Sequence, residues 1–155
     1  MIAGSPVLAE LPQALPMVLQ TLLKLPACRM EGLPQTEEEG LQVSVPLRGV
    51  RADGVVRLQL SDSFAARAAL LLFGETSDPS VRRDIAGELC NMMAGLIAAK
   101  IRDEGGPFTL ETPSVTAGVR RPIESGGRMI SRSDWDCGGE WLTLEILIPE
   151  KGHAA

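Results

Sequence analysis

A chain of 155 residues, 45% of them apolar, carries enough hydrophobic side chains to bury the core of one ordinary domain, and residues 1–155 read as a single domain. Fifteen basic residues against 20 acidic ones leave a net charge of −5, which argues against phosphate-backbone binding, and two Trp, three Phe and no Tyr provide no stacking platform for bases. No apolar run approaches the roughly 20 residues of a membrane span, and the N-terminus has no basic region followed by an apolar stretch and a small-residue cleavage site, so a soluble, cytoplasmic protein is expected.

Leu11, Leu15, Val18, Leu22 and Leu25 recur at helical spacing, which predicts a first helix through Lys24, limited at its start by Pro12 and Pro16 and ended by Pro26. Residues 31–40 read as a polar, acidic loop whose Glu triplet is a solvated charge run. Residues 41–49 and 55–61 alternate apolar and polar side chains around Ala52-Asp53-Gly54, the pattern of a β-hairpin. Ser61-Asp62 offers an N-cap for a short helix over about 63–73, and Asp78-Pro79 starts a longer one that Gly105-Gly106-Pro107 should stop. Residues 108–119 read as extended and interrupted at Pro113, and 128–136 with 141–148 form a second hairpin around Cys137-Gly138-Gly139-Glu140. The last of these strands is apolar at nearly every position, which suits a central strand covered on both faces and also suits an edge that pairs between chains. The sum is an α+β fold with helices packed on a long antiparallel β-sheet.

The long helix carries the chemistry. At about 100° per residue, Asp84, Gly87, Glu88, Asn91, Ala94, Gly95, Ala98 and Arg102 fall on one side of it, and Val81, Ile85, Leu89, Met92, Met93, Leu96, Ile97 and Ile101 fall on the other. The second set is a core stripe. The first surrounds Glu88 and Asn91 with small residues, which would let another backbone come close, and Asp84, Gly87, Gly95 and Ala98 are the expected partner-binding positions around the pair. Gly87 and Gly95 each cost up to about 1 kcal/mol relative to Ala in a helix interior, so a close-approach requirement would account for them. Read without such a requirement, Glu88 and Asn91 are solvated polar positions on an exposed face.

The spacing Glu88-x-x-Asn91-x-x-x-Gly95, followed by Pro113 within Thr109–Gly118, resembles the CheX branch of the CheC/CheX/FliY chemotaxis phosphatases. Upstream, Val43–Val50 and Gly54–Ser61 are similar to that family's opening strand pair, so the resemblance spans about residues 40–120. In the two-site CheC branch two corresponding helices carry the Glu-x-x-Asn pattern, whereas here the first helix offers only Glu10-Leu-Pro-Gln13, which favours CheX. The resemblance implies a CheC/CheX-like fold and a homodimer joined through its sheet. It also implies a chemotaxis phosphatase that hydrolyses the aspartyl phosphate of a CheY-like response regulator in two-component signalling. Catalytic roles would fall to Asn91, orienting the attacking water, and to Glu88, pairing with the receiver's lysine. The Mg²⁺ would be the receiver's, with no cofactor of the chain's own.

The residue chemistry is compatible with that division of labour. No Ser-His or Cys-His arrangement supplies a nucleophile and no Gly-rich loop precedes a helix. Cys28, Cys90 and Cys137 are odd in number and far apart, and the one histidine, His153, lies in the C-terminal tail, so neither a disulfide framework nor a metal site is expected. Cys90 points toward the core at its helical angle. An amide can hold a water by donating one hydrogen bond and accepting another, which suits phosphoryl transfer to a positioned water. The alternative is a non-catalytic CheC-like adaptor that binds a receiver or a flagellar-switch protein without hydrolysing anything, for which Asn91 would be dispensable.

Overall fold

The β-branched and leucine positions of the first hairpin set the frame of the molecule. In the computed structural model, which describes residues 10–31, 39–50, 53–74, 78–102, 107–119 and 127–149 (backbone only at 119, 127–130, 148 and 149), β2 (Glu39–Gly49) pairs antiparallel with β3 (Gly54–Ser61). Leu41, Val43 and Val45 stand opposite Leu60, Leu58 and Val56. The same row continues into β7 (Glu140–Pro149), where Leu142, Leu144 and Ile146 oppose Leu60, Leu58 and Val56. All nine are buried on the side that receives the helices, each such side chain contributing about 1.5–3 kcal/mol by leaving water.

β7 also pairs with β6 (Gly127–Cys137) through the Gly138-Gly139 turn, whose positive φ angles of 62° and 90° suit glycine. A seventh strand, β1 (Cys28–Met30), lies outside β6, and β4 (Phe108–Leu110) and β5 (Ser114–Val119) both pair with β2 at the other margin. The sheet order is β1-β6-β7-β3-β2-β4, with β5 also on β2. β7 therefore sits between β3 and β6, which bears out a central strand and corrects its reading as an edge open to another chain. β1 escaped the sequence reading because three residues hold no alternation; the pairing with β6 and the Arg29 guanidinium 5.5 Å from the Trp135 ring centroid define it.

Among the described residues three α-helices cover one face: α1 (Ala14–Val18), α2 (Asp62–Phe73) and α3 (Pro79–Lys100). α1 is shorter than expected, a five-residue α-helix between a 3-10 turn at Leu11–Gln13 and a π-helical turn at Leu19–Leu23. It ends before Pro26 because Lys24 turns left-handed, at φ 58°, and Leu25 N–H reaches back to Leu19 O at 3.3 Å. α2 begins as its sequence indicates, with Ser61 Oγ accepting from Phe64 N–H at 3.1 Å. The strands expected at 41–49, 55–61, 128–136 and 141–148 all occur, with a bulge between Met129 and Ser131. Glu39 and Gly40, placed in the acidic loop by sequence, already belong to β2; residues 32–38, Gly105, Gly106 and His153 lie outside the described residues. No described helix is long and apolar enough to cross a membrane.

Candidate functional site

α3 is positioned at its start by Asp78, whose Oδ1 accepts from both Ser80 N–H and Ser80 Oγ–H at 2.9 Å. These bonds stabilise the ionised form and hold the Asp78 carboxyl below the usual carboxylate range. From this cap the helix runs 22 residues across β2 and β3, burying Ile85, Ala86, Leu89, Cys90, Met93, Ala94 and Ile97. The opposite side is a strip of Asp84, Glu88, Asn91 and Gly95, at intervals of four, three and four residues, and so in line along the axis. Asp84 and Glu88 are exposed; Asn91 and Gly95 are half-buried. Neither Glu88 nor Asn91 makes a hydrogen bond or ion pair with another described residue.

The helical wheel misplaces several of the flanking residues. Gly87, Ala94 and Ala98 are buried, whereas Val81, Met92 and Leu96 are only partly so. The buried arc is rotated because α3 is walled on one flank by the segment between β4 and β5. A Cβ on Gly87 would lie 3.7 Å from Pro113 Cβ and 3.7 Å from Val115 Cγ2. Gly87 is thus covered by the chain's own Pro113 and Val115 side chains, and neither Gly87 nor Ala98 presents an open surface. Gly95 differs: a Cβ there would meet nothing within 4 Å. Of the four flanking positions expected to meet a partner, Asp84 and Gly95 share the accessible strip with Glu88 and Asn91.

That wall is itself anchored at two points. Arg83, on α3, donates from Nη2 to Val115 O at 2.7 Å. Arg48, at the end of β2, donates from Nε to Glu111 Oε1 at 3.1 Å and from Nη1 to Asp53 Oδ2 at 3.1 Å, while Glu111 N–H reaches Pro46 O at 2.9 Å. Sequence reasoning missed both arginines. Their partners in this wall, Val115 and Glu111, lie 32 and 63 residues away, beyond the reach of local spacing.

The strip contains two carboxylates and an amide but no Ser, Thr, Cys or His nucleophile. Cys90, on the other side of α3, has its Sγ 3.6 Å from Val56 O, and burial pushes its thiol up to about 12, so it stays protonated as a small core residue. Among the described residues no group of three His, Cys, Asp or Glu side chains could hold a metal ion. What the strip offers a neighbour is an amide able to donate and accept at once and a negative charge about one helical turn away.

Helices on one face of a long antiparallel sheet, with a Glu-x-x-Asn pair standing out from the longest of them, are the arrangement that the resemblance to the CheC/CheX proteins implies. A family model described as chemotaxis phosphatase CheX matches residues 41–130, more than half of the sequence, and the chain belongs to that family. No curated protein matches it. Among solved structures, the chemotaxis protein CheX from Vibrio vulnificus is 18% identical with a TM-score of 0.78, the match covering 96% of this chain and 99% of that one. CheX in a CheX–CheY–BeF3–Mg²⁺ complex from Borrelia burgdorferi is 18% identical with a TM-score of 0.74, covering 93% and 98%. FliY from Thermotoga maritima is more distant, at 14% identity and a TM-score of 0.57 over 93% and 91%. At such identities these likenesses establish the fold.

Proposed function

We propose that the protein dephosphorylates a CheY-like receiver, with Asn91 orienting the water that attacks the aspartyl phosphate and Glu88 fixing the receiver in register. The observation that carries this reading is the Glu88/Asn91 strip itself: a polar pair with no partner among the described residues, on a family member's longest helix, with the open Gly95 position beside it. An amide can donate to the phosphoryl oxygen or accept from the attacking water without becoming covalently involved, so the barrier falls through positioning. The carboxylate of Glu88 suits a cationic partner side chain such as a lysine, a charge-assisted contact that steers docking. The divalent cation then belongs to the receiver, a reading that the Borrelia CheX–CheY–BeF3–Mg²⁺ complex supports.

The reading is tested by inorganic phosphate release from a phosphorylated receiver of the same organism, with and without the protein. Acceleration supports it, whereas receiver binding without acceleration replaces it with the adaptor reading. The homodimer belongs to the same proposal; since β7 is enclosed by β3 and β6, a dimer joined through the sheet would use an outer strand. Light scattering at micromolar concentration checks it, and a monomer would remove this part.

A further inference from the structure

Arg83, Gly87 and Asn91 follow one another at four-residue spacing on α3, each about 40° round the helix from the one before, and the first two stand on the flank that meets the margin of the sheet. Arg83 Nη2 holds the Val115 carbonyl oxygen at 2.7 Å. Val115 lies in β5, an outer strand whose described partner is β2. An exposed edge carbonyl is readily satisfied by water, so this bond is not required to satisfy the oxygen. Its consequence is geometric: it fixes the start of β5 against α3, with Pro113 and Val115 packed over Gly87 at a distance that would leave a Cβ there in ordinary van der Waals contact. At the other end of the same bend, Arg48 holds Glu111 and Glu111 N–H is bonded to Pro46 O. Between the two anchors lie Thr112 and Ser114, both exposed, and Pro113, whose ring limits φ.

We infer that Arg83 is a positioning residue for the Glu88/Asn91 strip: by anchoring β5 to α3 it keeps the 111–113 bend as a fixed wall on the Gly87 flank of that strip, against which the receiver docks. This inference rests on the phosphatase reading above. Arg83 reaches β5 and not the reacting atoms, and Asn91 keeps its place on a helix that Arg83 does not hold together. Loss of the anchor therefore lets the wall move while leaving the water-positioning amide where it was. The defect belongs to docking rather than to the chemical step.

Three variants separate this role from a direct charge contact with the receiver. Arg83→Met keeps the apolar stem and deletes the donor; Arg83→Lys keeps a charged donor; Arg48→Met loosens the far anchor of the bend from β2. Phosphate release is measured against receiver concentration for each, together with amide hydrogen exchange at Thr112 and Ser114–Thr116. For Arg83→Met the half-saturating receiver concentration should rise about threefold or more with the maximal rate within about twofold of wild type, and exchange in the bend should accelerate. Arg83→Lys should recover most of the affinity, and Arg48→Met should shift it in the same direction as Arg83→Met. Unchanged exchange in Arg83→Met, a loss confined to the maximal rate, or wild-type affinity in Arg48→Met would each overturn the inference. If the wild-type protein releases no phosphate, the phosphatase reading fails separately, and the exchange rates with affinity for a beryllofluoride-loaded receiver still decide the wall: unchanged values in Arg83→Met overturn it.

Discussion

Two carboxylate–amide pairs occupy opposite layers of this molecule and are put to opposite uses. Glu88 and Asn91 stand on the outer strip of α3 and bond to no other described residue. Glu145 and Gln59 lie on the sheet face turned away from the helices, diagonal to one another on β7 and β3, and both are buried; Gln59 Nε2 donates to Glu145 Oε1 at 2.8 Å. Around them the ladder continues in polar residues, Thr143 donating to Asp134 at 2.7 Å and Arg57 to Ser44 at 3.3 Å. The same two functional groups therefore hold strands together when their bonding capacity is turned inward, and leave that capacity unused among the described residues when it is turned outward. Burial pushes the Glu145 carboxyl above its ordinary range, against the opposing effects of the Gln59 bond and of Arg132 and Arg57, and its Oε2 has no hydrogen-bond partner among the described residues.

If this contrast is right, changes to the outer pair move activity and leave stability alone. Asn91→Ala should lower the maximal rate of receiver dephosphorylation by about 10²-fold, roughly 2.7 kcal/mol in the barrier, with an unfolding midpoint no lower than wild type because Ala is the better helix former. Hydrolysis at the wild-type rate would remove Asn91 from the mechanism. Glu88→Ala should have a smaller effect and a different form: a rise of about tenfold in half-saturating receiver concentration, about 1.4 kcal/mol, overcome at high receiver. A defect in Glu88→Ala that persists at saturation would assign Glu88 to the chemical step instead.

The inner pair should behave in the reverse way, and its pH dependence gives the sign. A carboxyl whose pKa is raised on folding binds more protons folded than unfolded, so its contribution to stability declines as pH rises from the ordinary Glu range, about 4.3, through the raised folded value. Glu145→Gln keeps the oxygen that accepts from Gln59 and cannot ionise. It should stabilise the protein by on the order of 1 kcal/mol near neutral pH, where the wild type carries or neutralises a buried carboxyl with an unpartnered oxygen, and by less near pH 4. Urea unfolding at about pH 4.5 and about pH 7.5 measures the difference. Equal effects at the two pH values would show that Glu145 does not titrate differently on folding, and receiver dephosphorylation should be unaltered in either case.

The outer pair was legible in the sequence and the inner one was not, for a physical reason. Glu88 and Asn91 are related by helical spacing, a local property, and the Asp78-Pro79 start that puts them on a helix is local too. The hairpins at 41–61 and 128–148 announce themselves by alternation and by turn residues. Glu145 sits in an apolar run, and only the cross-strand register that brings it beside Gln59, 86 residues away, gives it a partner. The same limit explains the rotated core stripe of α3: Gly87 looks open on a wheel, and the chain segment that covers it is fixed by strand pairing of β4 and β5 with β2. β1 and the π-helical turn before Lys24 likewise exist because of what they pack against.

Lys24 gives the smallest and cleanest separation of stability from activity. It is exposed and, among the described residues, the one non-glycine with a positive φ, where it ends the π-helical turn with its N–H on Gln20 O at 3.2 Å. The left-handed region costs an L-residue about 1 kcal/mol, and glycine avoids that cost. Against this, Lys24→Gly widens the freedom of the unfolded chain and removes a positive charge near a helical C-terminus, each a matter of about 0.3–0.5 kcal/mol at an exposed site. The strain term is the largest of the three but only narrowly, so a net gain of at most about 0.5 kcal/mol is expected in urea unfolding. Lys24 precedes β1 and belongs to neither the outer strip nor its wall, so receiver dephosphorylation should be unchanged. A stabilised Lys24→Gly with altered half-saturation would mean that the N-terminal segment also shapes the docking surface, and the division between a structural sheet side and a functional helix strip would have to be redrawn around α1.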